Sequence, residues 1–183
     1  SSQNVDSQCQ SITYNCPNSS NSNNGSDSNS SLRQKVVCIA EGELAIWSSQ
    51  PGYPWSGSPT NTYSLSGYLK YSQNSPEEWC ADFASWVYKQ AGSPLTGNSS
   101  AWRLAGVIRI ASVGQNGGSF SYHTSASGYV PKPGDLSIYD FNHNGNYDHV
   151  DIVISVSGNN ILVLDSYCCT LLHVRSVLAC FIQ

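Results

Sequence analysis

The spacing of apolar residues divides the chain into segments of different character. Residues 1–34 carry almost no apolar side chains and are dominated by Ser and Asn, so they cannot bury enough surface to offset the entropy lost on ordering. Between residues 35 and 113 apolar positions recur at helical intervals. From residue 134 onward they alternate or run on between Gly and Asn turns, as in antiparallel strands. We therefore expect a flexible tail over 1–34 and one α+β domain over 35–183.

The same pattern predicts individual elements. Helices are expected at 35–48, at 79–91 and at 101–113, and the second should stop at Gly92 with Pro94 just beyond. Residues 50–76 are rich in Pro, Gly and Ser and predict a long ordered loop with one helical turn near Tyr68. The predicted strands are GDLSIYD, HVDIVISVS, NILVLDSY and LLHVRSV.

Composition narrows the class of protein. The net charge is -4, only 11% of residues are charged and no basic block is present, so neither nucleic acid nor an anionic membrane surface is an expected partner. No run approaches the roughly 20 apolar residues that span a bilayer. Seven cysteines without a paired C-x-x-C zinc spacing fit an oxidising compartment. We expect a secreted or cell-envelope protein whose signal peptide has been removed, and the odd number of cysteines leaves at least one thiol free.

Cys80 is the candidate nucleophile. In EEWCADFASWVYKQAG it falls in the first turn of the second predicted helix, where unpaired backbone N–H groups and the helix dipole favour a thiolate. The same N–H groups could stabilise an oxyanion. The alternative is that Cys80 is a small buried residue or a disulfide partner, the usual fate of a cysteine.

His149 is the candidate base because it opens the most apolar strand, where it can face a helix N-terminus. The turn signal VSGNN suggests a hairpin centred on Ser157, and in such a hairpin Asp165 lies directly opposite His149. A carboxylate there could orient the imidazole. The alternative is that Asp165 only ends a strand on the solvent side.

These segments resemble the CHAP domains, cysteine- and histidine-dependent amidohydrolases and peptidases related to the NlpC/P60 peptidases. WCADFASWVYKQAG resembles the nucleophile helix of that family, and PKPGDLSIYD followed by HVDIVISVSGNNILVLDS resembles its histidine strand and hairpin. The resemblance implies a papain-like fold, a triad of Cys80, His149 and Asp165, and cleavage of peptidoglycan. The bond would be the one between muramic acid and L-alanine, or a peptide bond in the stem or cross-bridge. Many members carry Asn two positions after the acidic residue, where this chain has Tyr167.

A calcium-loop pattern precedes the base. DFNHNGNYDHVD places oxygen-bearing residues at the ligand positions of a twelve-residue loop around Gly145. The predicted ligands are Asp140, Asn142, Asn144, Asn146, Asp148 and Asp151. In this interpretation calcium has a structural role and fixes His149, and the chemistry itself needs no cofactor. In the alternative, the Asn and Asp side chains bond their own backbone and Asp151 shares a strand face with His149.

Two aromatic residues flank the candidate pair, since Trp79 precedes Cys80 and Tyr147 lies two residues before His149. Both are candidate substrate contacts. The favoured function is a secreted peptidoglycan amidase or endopeptidase that works through an acyl-enzyme. The alternatives are a cell-wall-binding module without turnover, stabilised by disulfides and calcium, and a cysteine amidase that acts on an amide outside the wall.

Overall fold

The computed structural model describes residues 28–49, 70–73, 75, 77–164, 169–173 and 179–182, with only the backbone described at 28–31, 48, 169–173 and 179–182. The helices are α1 (Ser28–Ser48), α2 (Cys80–Gln90) and α3 (Val107–Gln115). The strands are β1 (Ser121–Thr124), β2 (Leu136–Tyr139), β3 (His149–Ser157), β4 (Asn160–Leu164), β5 (Cys169–His173) and β6 (Ala179–Ile182). Helices followed by strands confirm the α+β class. Most of the predicted tail and of the predicted loop at 50–76 lies outside the described residues.

The strands form one sheet in the order β1-β6-β2-β3-β4-β5, and every neighbouring pair is antiparallel. Strands at the four predicted positions are confirmed as β2, β3, β4 and β5. Strands β1 and β6 were not expected. Each has only four residues, and β6 returns from the end of the described chain to lie between β1 and β2.

The helices cover one face of this sheet. Alternate residues of β2 and β3, including Leu136, Val150 and Ile152, join one large cluster with the apolar face of α2, as the two-residue period of a strand requires. The intervening residues Tyr139 and Val153 belong to a smaller cluster on the other face. Within the described ranges, no helix combines the length and apolar character needed to cross a membrane.

Helix α2 lies where the sequence predicts it, but α3 begins later than expected. Its predicted start at Ala101 is wrong by six residues, and two contacts explain the difference. The Leu104 N–H donates to Ser85 Oγ at 3.2 Å, which draws this segment across α2 as an extended chain. Gly106, the N-cap of α3, has φ +121°. This backbone conformation is not helical, so the helix cannot begin before Val107.

Helix α1 also begins earlier than predicted. It starts at Ser28 rather than Lys35, so the last residues of the predicted tail are helical. Arg33, within that stretch, donates from Nη1 to Pro133 O at 3.1 Å and to Asp135 Oδ1 at 2.5 Å. This partly buried ion pair fixes the first turns of α1 against the start of β2, a long-range contact that local composition could not predict.

Candidate active site

Cys80 is the first residue of α2. Trp79 precedes it as N-cap without a side-chain hydrogen bond to the helix, so the N–H groups of the first turn have no side-chain acceptor at the cap. Cys80 is 8% exposed and its thiol is free. Cys38 on α1 is disulfide-bonded. The interpretation of Cys80 as a disulfide partner is therefore wrong, whereas its interpretation as a small buried residue agrees with this low exposure.

A cavity of about 490 Å³ has Cys80 in its wall. Glu78 and Asp148 lie in its wall with Arg109, while Gly106 and Val107 contribute the start of α3. Tyr147 lines the same cavity, and its role as a substrate contact stays a prediction. The wall of the cavity thus contains two acidic residues, one arginine and one tyrosine.

The Tyr147 hydroxyl is paired with that of Tyr122 on β1. Burial, followed by this hydrogen bond, raises the pKa of Tyr147 to about 12. The phenol therefore stays protonated through the neutral range.

Trp79 does not line the cavity. It is 2% exposed, and its ring stacks on Tyr71 at 5.4 Å and meets the edge of Trp47 at 5.3 Å. The prediction that Trp79 contacts substrate is wrong. At the start of a helix that packs against α1, its large apolar ring is buried in the interface between the helices.

His149 is the first residue of β3, and its imidazole has a carboxylate partner. Its Nε2 lies 2.8 Å from Asp151 Oδ1, and Asp151 is 5% exposed. The rings of Phe141 and Tyr139 lie 5.7 and 6.0 Å away. Asp151 thus shares a strand face with His149, as the alternative interpretation of the loop required.

The two predicted catalytic side chains come to the same end of the sheet without a hydrogen bond between them. Tyr147 and Asp148, directly before His149, line the Cys80 cavity. Strand alternation nevertheless points His149 to the side of Tyr139, away from the face that packs on α2. Across the part of the chain that the structure describes, the thiol and the imidazole form no direct hydrogen bond.

The predicted register of the β3–β4 hairpin is wrong. Ser157 pairs with Asn160, so Gly158 and Asn159 form a two-residue turn, and a bulge between Val153 and Ser155 shifts the pairing again. The hairpin is therefore not centred on Ser157. A two-residue turn at Gly158 and Asn159 matches the right-handed twist of the two strands, which explains the observed register. Asp165 itself lies outside the described residues, so its place in the triad stays a prediction.

In the predicted calcium loop, the described side-chain oxygens accept hydrogen bonds from the backbone. Asp140 accepts from the N–H groups of Asn144 and Gly145, at 3.1 and 2.8 Å. Both carboxylate oxygens of Asp148 accept from Phe141 N at 3.1 Å. The remaining contacts of this kind are Asn142 Oδ1 with Asn144 N and Asn144 Oδ1 with Asn146 N.

The predicted ligands do not all meet at one point. Asp151 is buried beside His149, whereas Asn142, Asn144 and Asn146 are exposed. Among the residues described, no three acidic, His or Cys side chains are grouped to hold a metal. The calcium site therefore stays a prediction from the sequence pattern.

One charged network beside Cys80 was not found from the sequence. Asp82, in the first turn of α2, is fully buried and accepts from Arg103 Nε at 2.7 Å. Arg103 also pairs with Glu77, just before the helix. Asp82 and Arg103 are 21 residues apart on different elements, so no local sequence signal joins them.

The family model of the CHAP domain matches residues 70–166, more than half of the 183 residues. The matched range contains the free thiol, the cavity residues and the start of β3. Neither the curated proteins nor the solved structures provide a match to the chain.

Proposed function

Since this chain belongs to the CHAP domain family, we propose that it is a secreted cysteine hydrolase that cleaves amide bonds in bacterial peptidoglycan. CHAP domains are in general cysteine- and histidine-dependent amidohydrolases that act on this polymer. The observation that carries the proposal is the free thiol of Cys80 at the N-terminus of α2, next to a cavity of about 490 Å³.

The reaction proceeds through a thioester. Cys80 Sγ attacks the carbonyl carbon of the amide, and N–H groups at the start of α2 stabilise the oxyanion. His149 takes the thiol proton and gives it to the leaving amine. Water then hydrolyses the acyl-enzyme with His149 as base. By family resemblance Asp165 completes the triad.

This sequence of proton transfers needs the imidazole within hydrogen-bond reach of the thiol. His149 now contacts Asp151, and catalytic hydrogen bonds often shorten only when substrate is bound. We expect substrate in the cavity to bring the two groups together, since residues 147 and 148 join the cavity wall directly to His149.

The charges of the cavity suit a peptide that carries both carboxylates and amines. Arg109 can pair with a carboxylate, and Glu78 and Asp148 can pair with an amine. The stem peptides of the wall offer both groups. The bond cleaved is either that between muramic acid and L-alanine or a peptide bond in the stem or cross-bridge.

An extracytoplasmic location is part of the proposal. Peptidoglycan lies outside the cytoplasmic membrane, and the disulfide at Cys38 is of the kind that persists in oxidising compartments. The low charge of the chain gives no reason to expect nucleic acid as a partner.

The test is alkylation of the unreduced protein with iodoacetamide, with peptide mapping and digestion of purified peptidoglycan followed in parallel. We expect label at Cys80 and loss of wall digestion in the same proportion. Cys80→Ser is the matched control, which should take up no label there and should release no products. Full digestion by a protein labelled at Cys80, or by Cys80→Ser, would contradict the proposal and favour a module that only binds the wall.

A further inference from the structure

The pairing of His149 with Asp151 is a contact that the proposed reaction has not used. Asp151 lies two residues after His149 on β3, so both side chains emerge on the same face. The Nε2 to Oδ1 distance is 2.8 Å, and only 5% of Asp151 is exposed. Burying a carboxylate is costly unless it is hydrogen-bonded, and here the imidazole supplies a bond.

We propose that Asp151 is the positioning residue of the active site, the carboxylate that holds His149 through Nε2. The inference rests on the proposed function, in which His149 is the general base. It assigns to Asp151 the contact that the family resemblance gives to Asp165, and it takes Asp151 out of the predicted calcium ligands.

The chemistry follows from which nitrogen carries the proton. A carboxylate accepts the Nε2–H bond and keeps the proton on Nε2, so Nδ1 retains its lone pair. Nδ1 is then the atom that can take the proton of the Cys80 thiol. When Nδ1 is protonated, the Asp151 carboxylate stabilises the imidazolium that forms.

The strand and two aromatic rings keep this contact in place. The backbone of Asp151 is paired with that of Ser137 in the β2–β3 ladder, whereas the buried Ser137 hydroxyl makes no hydrogen bond to any residue that the structure describes. The rings of Tyr139 and Phe141 stand beside the imidazole and limit its rotation. The two rings and the carboxylate define the orientation of the imidazole in this structure, and we expect the Asp151 contact to be kept when substrate brings the thiol within reach.

The kinetic test compares Asp151→Asn with the wild-type protein. The amide can donate to Nε2 and shift the proton to Nδ1, so we expect kcat to fall roughly hundredfold or more while KM stays within about twofold. Ser137→Ala is the matched control, since it removes a buried polar group from the facing strand without touching the imidazole. Its kcat should remain close to that of the wild type.

Asp165→Asn is measured beside it. If kcat collapses in Asp165→Asn and stays at the wild-type value in Asp151→Asn, the assignment to Asp151 is overturned. A loss of kcat in Asp151→Asn at unchanged KM supports it, whatever the other variant does.

A second readout does not depend on turnover. In ¹⁵N-labelled protein, the two-bond imidazole couplings identify which ring nitrogen of His149 carries the proton. We expect Nε2–H in the wild type and in Ser137→Ala, and a shift toward Nδ1–H in Asp151→Asn. An unchanged tautomer in Asp151→Asn refutes the positioning role. If the wild type digests no peptidoglycan while the tautomer shifts as expected, the proposed function fails and the contact stands.

Discussion

At the scale of single residues, Asp82 follows Cys80 by two positions in α2, and its carboxylate is buried in the protein interior. It is fully buried, with Arg103 Nε at 2.7 Å. Burial raises the pKa of Asp82 to about 7, and burial also lowers the pKa of Arg103, to which nearby Arg109 contributes. The first turn of α2 therefore carries a group that titrates near neutrality.

Asp82 makes stability depend on pH. Its folded pKa, about 7, exceeds the ordinary value of 3.8, so the folded state binds the proton more tightly than the unfolded state. This contribution is fully present below pH 4 and is lost as pH rises to 7. We expect the free energy of unfolding of the wild type to fall relative to Asp82→Asn by about 1–3 kcal/mol between these limits. Urea titrations at several pH values measure this, and parallel curves for the two proteins would refute it.

Sequence reasoning at this scale succeeded where a residue's neighbours in the chain determine its environment. Cys80 was predicted at a helix start and lies there, and Tyr147, predicted beside His149 as a residue of a substrate groove, lines the cavity that has Cys80 in its wall. Trp79 was assigned to the cavity but is buried, because the helix turns successive side chains in different directions. The alternative interpretation of the calcium loop placed Asp151 on the strand face of His149, and it lies there because side chains of a strand alternate with a period of two.

At the scale of elements, the GDL segment forms the junction between α1 and the sheet. Asp135 is fully buried and accepts from Arg33, from Tyr129 Oη at 2.8 Å and from Lys132 N at 2.7 Å. Gly134 has φ +88°, and a Cβ built there would lie 3.0 Å from the backbone Cα of Arg33. Helix α1 therefore approaches the chain before β2 as closely as a glycine permits.

Replacement of Gly134 tests this approach, with Gly128 as the matched control. Both glycines have positive φ, +88° and +75°, but a Cβ at Gly128 meets nothing within 4 Å. Gly128→Ala should cost only backbone strain, about 1 kcal/mol. Gly134→Ala should cost about 1–3 kcal/mol more, because the backbone of α1 must move. Denaturant unfolding measures both free energies. If the two variants lose the same free energy of unfolding, the backbone of α1 moves away from residue 134 without a measurable loss of stability.

The elements that sequence reasoning placed best are those with a regular apolar period, namely α2 and strands β2 to β4. The start of α3 was misplaced because Ser85 and Gly106 determine it through geometry and not through composition. Strands β1 and β6 were not predicted because four residues show little periodicity and their pairing joins positions such as Ser121 and Ile182. Such long-range pairing cannot be read from a local window.

At the scale of the whole molecule, one end of the sheet collects the groups that the reaction would use. The start of α2 brings the thiol, the start of α3 brings Arg109, and the segment before β3 brings Tyr147 and Asp148. These elements are separate in sequence and meet because the helices pack on a single face. Residues 140–148 connect β2 to β3, which begins at His149. An interaction that orders this segment therefore also restricts the position of His149.

The proposed calcium ion would act there, and its effect should be visible in the stability of the entire chain. Asp140 is at the first ligand position, while Asp151, at the twelfth, is bonded to His149, so we expect weak binding. Calcium at about ten times its Kd should stabilise the fold by about 1.4 kcal/mol. For a chain of this length that raises Tm by roughly 3–6 °C. There are two controls. Calcium should leave the Tm of Asp140→Asn nearly unchanged, and an equal concentration of magnesium should leave the Tm of the wild type nearly unchanged. A Tm that calcium does not move, together with full activity in excess chelator, would show that backbone hydrogen bonds alone order the loop.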